Sequence, residues 1–182
     1  MNKDLKLDDL YNKFIKKIII TDVMDVSGCS DIIFFSNWSY QDRSCIRFEI
    51  DSNEMVEIQH FCIESELGDC FYFVEKSASI SKYNENLDTL VVNHYILNIT
   101  VYGSSIPTEV KDMITDNYSK AVHGILLNLS DNLNILFHFD SFLHNGEIIL
   151  SNSEIEKKLQ LKIFNDSNII YKIKKNKKQN NL

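Results

Sequence analysis

Residues 44–76 constrain this chain more than any other stretch, because three runs in succession alternate with a period of two. Ile46, Phe48 and Ile50 alternate with Cys45, Arg47 and Glu49; Val56, Ile58, His60 and Cys62 alternate with Glu57, Gln59 and Phe61. Phe71 and Phe73 alternate with Cys70, Tyr72 and Val74. That period places alternate side chains on opposite faces of a sheet. Ser52-Asn53 and Leu67-Gly68-Asp69 supply turn residues between the runs. An antiparallel three-stranded meander follows.

The same stretch is acidic. Eight carboxylates, Glu49, Asp51, Glu54, Glu57, Glu64, Glu66, Asp69 and Glu75, lie between Phe48 and Glu75 without an intervening Lys or Arg. The net charge of −7 understates this bias, because Lys172, Lys174, Lys175, Lys177 and Lys178 crowd the C-terminus. Without those five positive charges, residues 1–171 carry −12. Such a body repels nucleic-acid phosphates and attracts basic partners.

Elsewhere, Leu7, Leu10, Tyr11 and Phe14 recur at helical spacing, so an amphipathic helix is expected over residues 4–16, with Asp4 as N-cap. Ile18–Val23 and Ile32–Phe35 read as strands, and Leu90–Tyr102 as a long one. Val110, Met113, Ile114, Ala121, Val122, Ile125 and Leu129 make an apolar stripe that predicts a long helix over 108–129, opened by Thr108. Two more strands are expected at Leu133–Asp140 and Glu147–Leu150. Ser153-x-x-Glu156 fits a capping box for a helical turn. Leu159–Ile163 and Ile169–Ile173 read as the last strands.

Strand runs follow one another instead of alternating with helices, which indicates an α+β fold. The expectation is a single domain over residues 1–173, with a basic tail at 174–182. Its mainly antiparallel sheet, with a strongly curved or barrel-like variant, carries the long helix and the N-terminal helix packed on it. The charged start, Met1-Asn2-Lys3-Asp4, is not an export signal, and no apolar run is long enough to span a bilayer. Cys29, Cys45, Cys62 and Cys70 are dispersed without a CxxC and read as reduced thiols of a cytoplasmic protein.

Motifs for chemistry are sparse. His138 and Asp140 share a strand face, and His144 follows across a hairpin, so two imidazoles and a carboxylate could hold a metal ion or move a proton. His60 and Cys62 also share a face, but the surrounding acids oppose formation of a thiolate. Neither a catalytic motif nor a cofactor-binding fingerprint is present.

Two function classes remain. One is an inhibitor of immunity type that occludes the cationic active site of a basic toxin or nuclease, its carboxylates standing in for substrate phosphates. Glu49, Asp51, Glu54, Glu57, Glu64, Glu66 and Asp69 would supply the charge, and Trp38, Tyr40 and Tyr72 the aromatic anchors. The alternative is a small metal-dependent or hydrolytic enzyme built on His138, Asp140 and His144.

Overall fold

The computed structural model describes residues 7–24, 32–35, 43–51, 54–77, 87–114, 118–140 and 145–174. Among them the strands are, in chain order, β1 (Phe14–Ile20), β2 (Val23–Met24), β3 (Ile32–Phe35), β4 (Ser44–Ile50), β5 (Met55–Glu64) and β6 (Cys70–Lys76). They continue with β7 (Asp88–Ser105), β8 (Lys120–Leu129), β9 (Asn134–Phe139), β10 (Asn145–Ile149) and β11 (Ile169–Lys174). Two short helices, α1 (Thr108–Asp112) and α2 (Asn152–Leu159), flank β8 and β10 in the chain. No helix among the described residues is long and apolar enough to cross a membrane.

All the pairings are antiparallel, in the order β2-β3-β10-β9-β8-β7-β1-β4-β5-β6. The expected meander is β4-β5-β6, with Ile46 opposite Ile58 and Phe61 opposite Phe73. The sheet then folds back on itself. Phe48 of β4 meets Phe137 of β9, with ring centroids 6.1 Å apart, although these strands lie far apart in the order. Phe34 meets both His60 and Phe139, and Tyr72 packs on Phe139 at 5.2 Å. Tyr72 Oη also donates to the Asn145 carbonyl at 2.8 Å, tying β6 to β10.

The strand that turns the corner is β7. Its first half pairs with β1, and its second half lies between β8 and β11. Asn93 adopts a left-handed φ of 56° where β7 carries an extra residue against β1. A second irregularity follows between Ile96 and Asn98. Bulges of this kind bend a strand and sharpen its twist. They also shift its side-chain parity: Val92, Ile96, Ile99 and Val101 are buried, while Val91 and Tyr95 face solvent.

The fold is therefore a curved antiparallel sheet with two facing layers, and among the described residues neither predicted packed helix is formed. At the N-terminus, Asp8–Leu10 forms one 3-10 turn, and Asn12, with φ of 58°, ends it. Leu7 and Leu10 are buried at that turn, Tyr11 follows it and Phe14 opens strand β1, so two unlike conformations imitate a helical stripe.

The long helix over 108–129 fails for a related reason. Among the described residues of that range only Thr108–Asp112 is helical, and Lys120–Leu129 is a strand buried on both faces. Tyr102 pairs with Gly124 but Gly103 pairs with Val122, so His123 is an extra residue in β8. That bulge sets Val122 and Ile125 three apart on the interior face, with Leu127 and Leu129 beyond them. A buried strand with one bulge thus reproduced helical spacing.

The outer face of β8 is covered as well. Leu126, Leu136 and Ile149 pack under Ile155 of α2 and under Phe164, from the 3-10 turn Lys162–Phe164. That turn and the end of α2 replace the strand expected at Leu159–Ile163. Gly124 admits Phe164 to the sheet: a Cβ there would sit 2.7 Å from the Phe164 ring and 2.9 Å from the Phe137 carbonyl.

Candidate functional site

The turn between β5 and β6 is the most organised part of the acidic stretch. Gly68 takes a left-handed φ of 87°, which glycine adopts without strain. The Ser65 amide donates to the Asp69 carbonyl at 2.9 Å, and the Gly68 amide to the Ser65 carbonyl at 3.0 Å. The Asp69 amide donates to Ser65 Oγ at 3.2 Å, and Ser65 itself is buried. These bonds fix the tip. Leu67 at its apex is 87% exposed, between the exposed side chains of Glu64, Glu66 and Asp69.

A further carboxylate comes from another strand. Burial first, and then Glu64, Asp140 and Asp69, push the Cys70 thiol up to about 11. Asp140, just beyond the end of β9, therefore shares the electrostatic neighbourhood of the tip.

The other expected interface residues separate. Asp51 and Glu54 are exposed at the β4–β5 turn, the opposite end of the meander. Glu49 lies 3.0 Å from Lys17 Nζ. Glu57 is buried against Arg47, whose Nε donates to it at 2.7 Å, and Gln59 Nε2 adds a bond at 3.2 Å. Glu75 pairs with Arg43 and accepts from Tyr118 Oη at 3.1 Å. Tyr72 is an interior side chain at 2% exposure, so it cannot anchor a partner. Trp38 and Tyr40 lie outside the described residues. One continuous acidic face is thus not formed; the acids divide between two ends and an ion-paired middle.

Comparison with protein-family models, with curated proteins and with solved structures returned no match.

His138 has a different partner from the one its sequence neighbours suggested. It faces outward from β9, with its ring 5.5 Å from that of Phe164. Its Nδ1 lies 2.8 Å from Glu147 Oε1, on the residue directly opposite in β10. Lys158 of α2 pairs with the same carboxylate. The His138 hydrogen bond is the main cause holding the Glu147 carboxyl at about 2, with Lys158 assisting against burial. His144 lies outside the described residues, and among those described no three His, Cys, Asp or Glu side chains converge as metal ligands would. Glu147 was discoverable in principle, since counting residues back across the 138–147 hairpin places it opposite His138. Lys158 carried no such signal.

This cluster latches α2 onto the sheet. Glu147→Gln is expected to lower stability by about 1–3 kcal/mol, the range for a hydrogen bond to a charged group. Amide exchange should quicken first over residues 152–164. Because the folded carboxyl titrates below its ordinary value of 4.5, its contribution is complete above about pH 4.5 and fades as pH falls toward 2. Unchanged exchange over α2 would show that Glu147 is not the latch.

Cys62 and His60 share the interior face, as their spacing predicts. Burial, then Cys70 and Glu64, push the Cys62 thiol up to about 12, while burial drives the His60 imidazole down to about 3. A protonated thiol beside a neutral buried imidazole is poor nucleophilic machinery. Cys45, Cys62 and Cys70 are buried; Cys29 lies outside the described residues.

Proposed function

We propose that this chain is a protein-binding inhibitor that inserts the β5–β6 tip into a basic cleft of its target. The observation supporting it is the preformed turn, which presents Leu67 among Glu64, Glu66 and Asp69. A fixed loop loses little conformational freedom on binding, so more of its contact energy appears as affinity. Clustered negative charge speeds encounter with a positive surface and selects against other partners. An apolar side chain ringed by carboxylates suits a pocket that is hydrophobic at its floor and cationic at its rim. The immunity-type role and the cytoplasmic setting belong to this proposal.

The test is a pull-down with the full chain from its source organism, washed at low salt and then at about 0.5 M, where exposed charge attraction is screened over a few ångströms. A single basic protein released by salt is the expected result. The triple variant Glu64→Lys/Glu66→Lys/Asp69→Lys should then weaken binding at least tenfold while the far-UV circular dichroism of the folded protein is retained, because all three side chains are exposed. Retention of full affinity by that variant would remove the proposal.

A further inference from the structure

A second feature lies where β7 outruns β11. The β11 register ends with Ile169 opposite Tyr102, and Gly103–Ser105 continue with β8 as their strand partner. A cleft of about 640 Å³ opens there, bounded by β6, the end of β7, the start of β8 and the start of β11. Its volume is in the range of small-molecule sites. Gly103 lets the walls close: a Cβ there would sit 2.2 Å from the Ala121 carbonyl and 2.7 Å from Ile170 Cδ1, so Ile170 packs directly on its backbone.

The lining divides chemically. Val74, Val122 and Ile170 offer an apolar wall, while Ser104, Ser105 and Ser119 bring hydroxyl groups. Among the described residues, Lys120 is the single charged side chain of the lining. Lys17, Lys76 and Lys158 each meet a carboxylate, but the Lys120 ammonium donates to a neutral oxygen, Ser105 Oγ, at 3.2 Å. Glu75, which accepts from Tyr118 of the lining, is already paired with Arg43. A positive charge backed by hydroxyls, on a chain of net charge −7, is therefore not spent on an internal acid.

The geometry points to a binding site for a small organic oxyanion, a phosphate or carboxylate carried on an apolar skeleton. Lys120 Nζ and the neighbouring serine hydroxyls donate to the oxyanion, since charge-assisted bonds of this kind are the stronger ones. The skeleton lies against Val74, Val122 and Ile170. The site shares no residue with the β5–β6 tip and stands whether or not the tip binds a protein.

Amide chemical shifts of the full chain, titrated separately with phenyl phosphate, benzoate and benzyl alcohol, test it. At least one of the two anions should saturably shift the amides of residues 103–105, 118–122 and 168–171, at least tenfold more tightly than the neutral alcohol. The tighter of the two names the headgroup. Lys120→Met should weaken that binding about tenfold, and Ser105→Trp, which crowds an exposed rim, should block it; both sites are exposed, so the fold is retained. No saturable shift at 20 mM (about the weakest binding worth a site), equal binding of benzyl alcohol, or full binding by Lys120→Met would each overturn the inference.

Discussion

Arg47→Met is expected to destabilise the protein by about 3–5 kcal/mol, the cost of stranding a buried charge whose partner is removed. Glu57 is 3% exposed and Arg47 8%, on the outer face of β4 and β5. The Arg47 guanidinium donates to Glu57 Oε2 at 2.7 Å, and Gln59 donates to the other oxygen. Without Arg47 that buried carboxylate loses its charged donor at 2.7 Å. The double variant Arg47→Met/Glu57→Leu removes both charges and should recover most of the loss, since well-packed apolar pairs often replace buried ion pairs at little cost. Urea midpoints followed by circular dichroism decide it. A single variant as stable as the double one would show that the pair does not support the sheet. The same geometry bears on function: Glu57→Lys would face Arg47 with a second cation and unfold the chain, so lost binding there would say nothing about a partner.

What the sequence could and could not reveal follows from the bulges. Runs that alternate cleanly, such as Ile46–Ile50 and Val56–Cys62, became the strands they describe, because their parity is uninterrupted between turns. Where a strand carries an extra residue, the period shifts locally. His123 converted the β8 pattern into a helical imitation, and the extra residue between Ile96 and Asn98 moved the buried side of β7 from Val92 and Ile96 to Ile99 and Val101. Nothing in the identity of His123 announces a bulge. The candidate site was legible in part for a similar reason. The charge of Glu64, Glu66 and Asp69 was visible, but the loss of Glu57 and Glu49 to Arg47 and Lys17 depended on cross-strand register. Asp140 joins the tip through the fold-back of the sheet, a contact between β9 and β6 that no local pattern encodes.

Lowering the pH from 7.5 to 4 is expected to remove about 3 kcal/mol of stability through His60 alone, at about 1.4 kcal/mol per pH unit. The imidazole is fully buried between Phe34 and Phe139, with ring centroids 5.1 and 5.8 Å away, and burial holds it at about 3 against an ordinary 6.5. Below pH 6.5 the unfolded chain takes up this proton and the folded chain does not. The contribution is therefore complete above about pH 6.5 and declines steadily as pH falls toward 3. His60→Leu, close in volume, should lose about 1 kcal/mol of ring contact at neutral pH but cross the interval from 7.5 to 5 with a shallower slope. Some slope remains, because burial and His138 also hold the His123 imidazole below its ordinary value, with the same sign. Glu147 adds its own loss below about pH 4.5. Urea midpoints across that range, for both proteins, are the measurement. Parallel pH curves would mean that the His60 proton is taken up in the folded state, and that the two layers part at this point more readily than their packing implies.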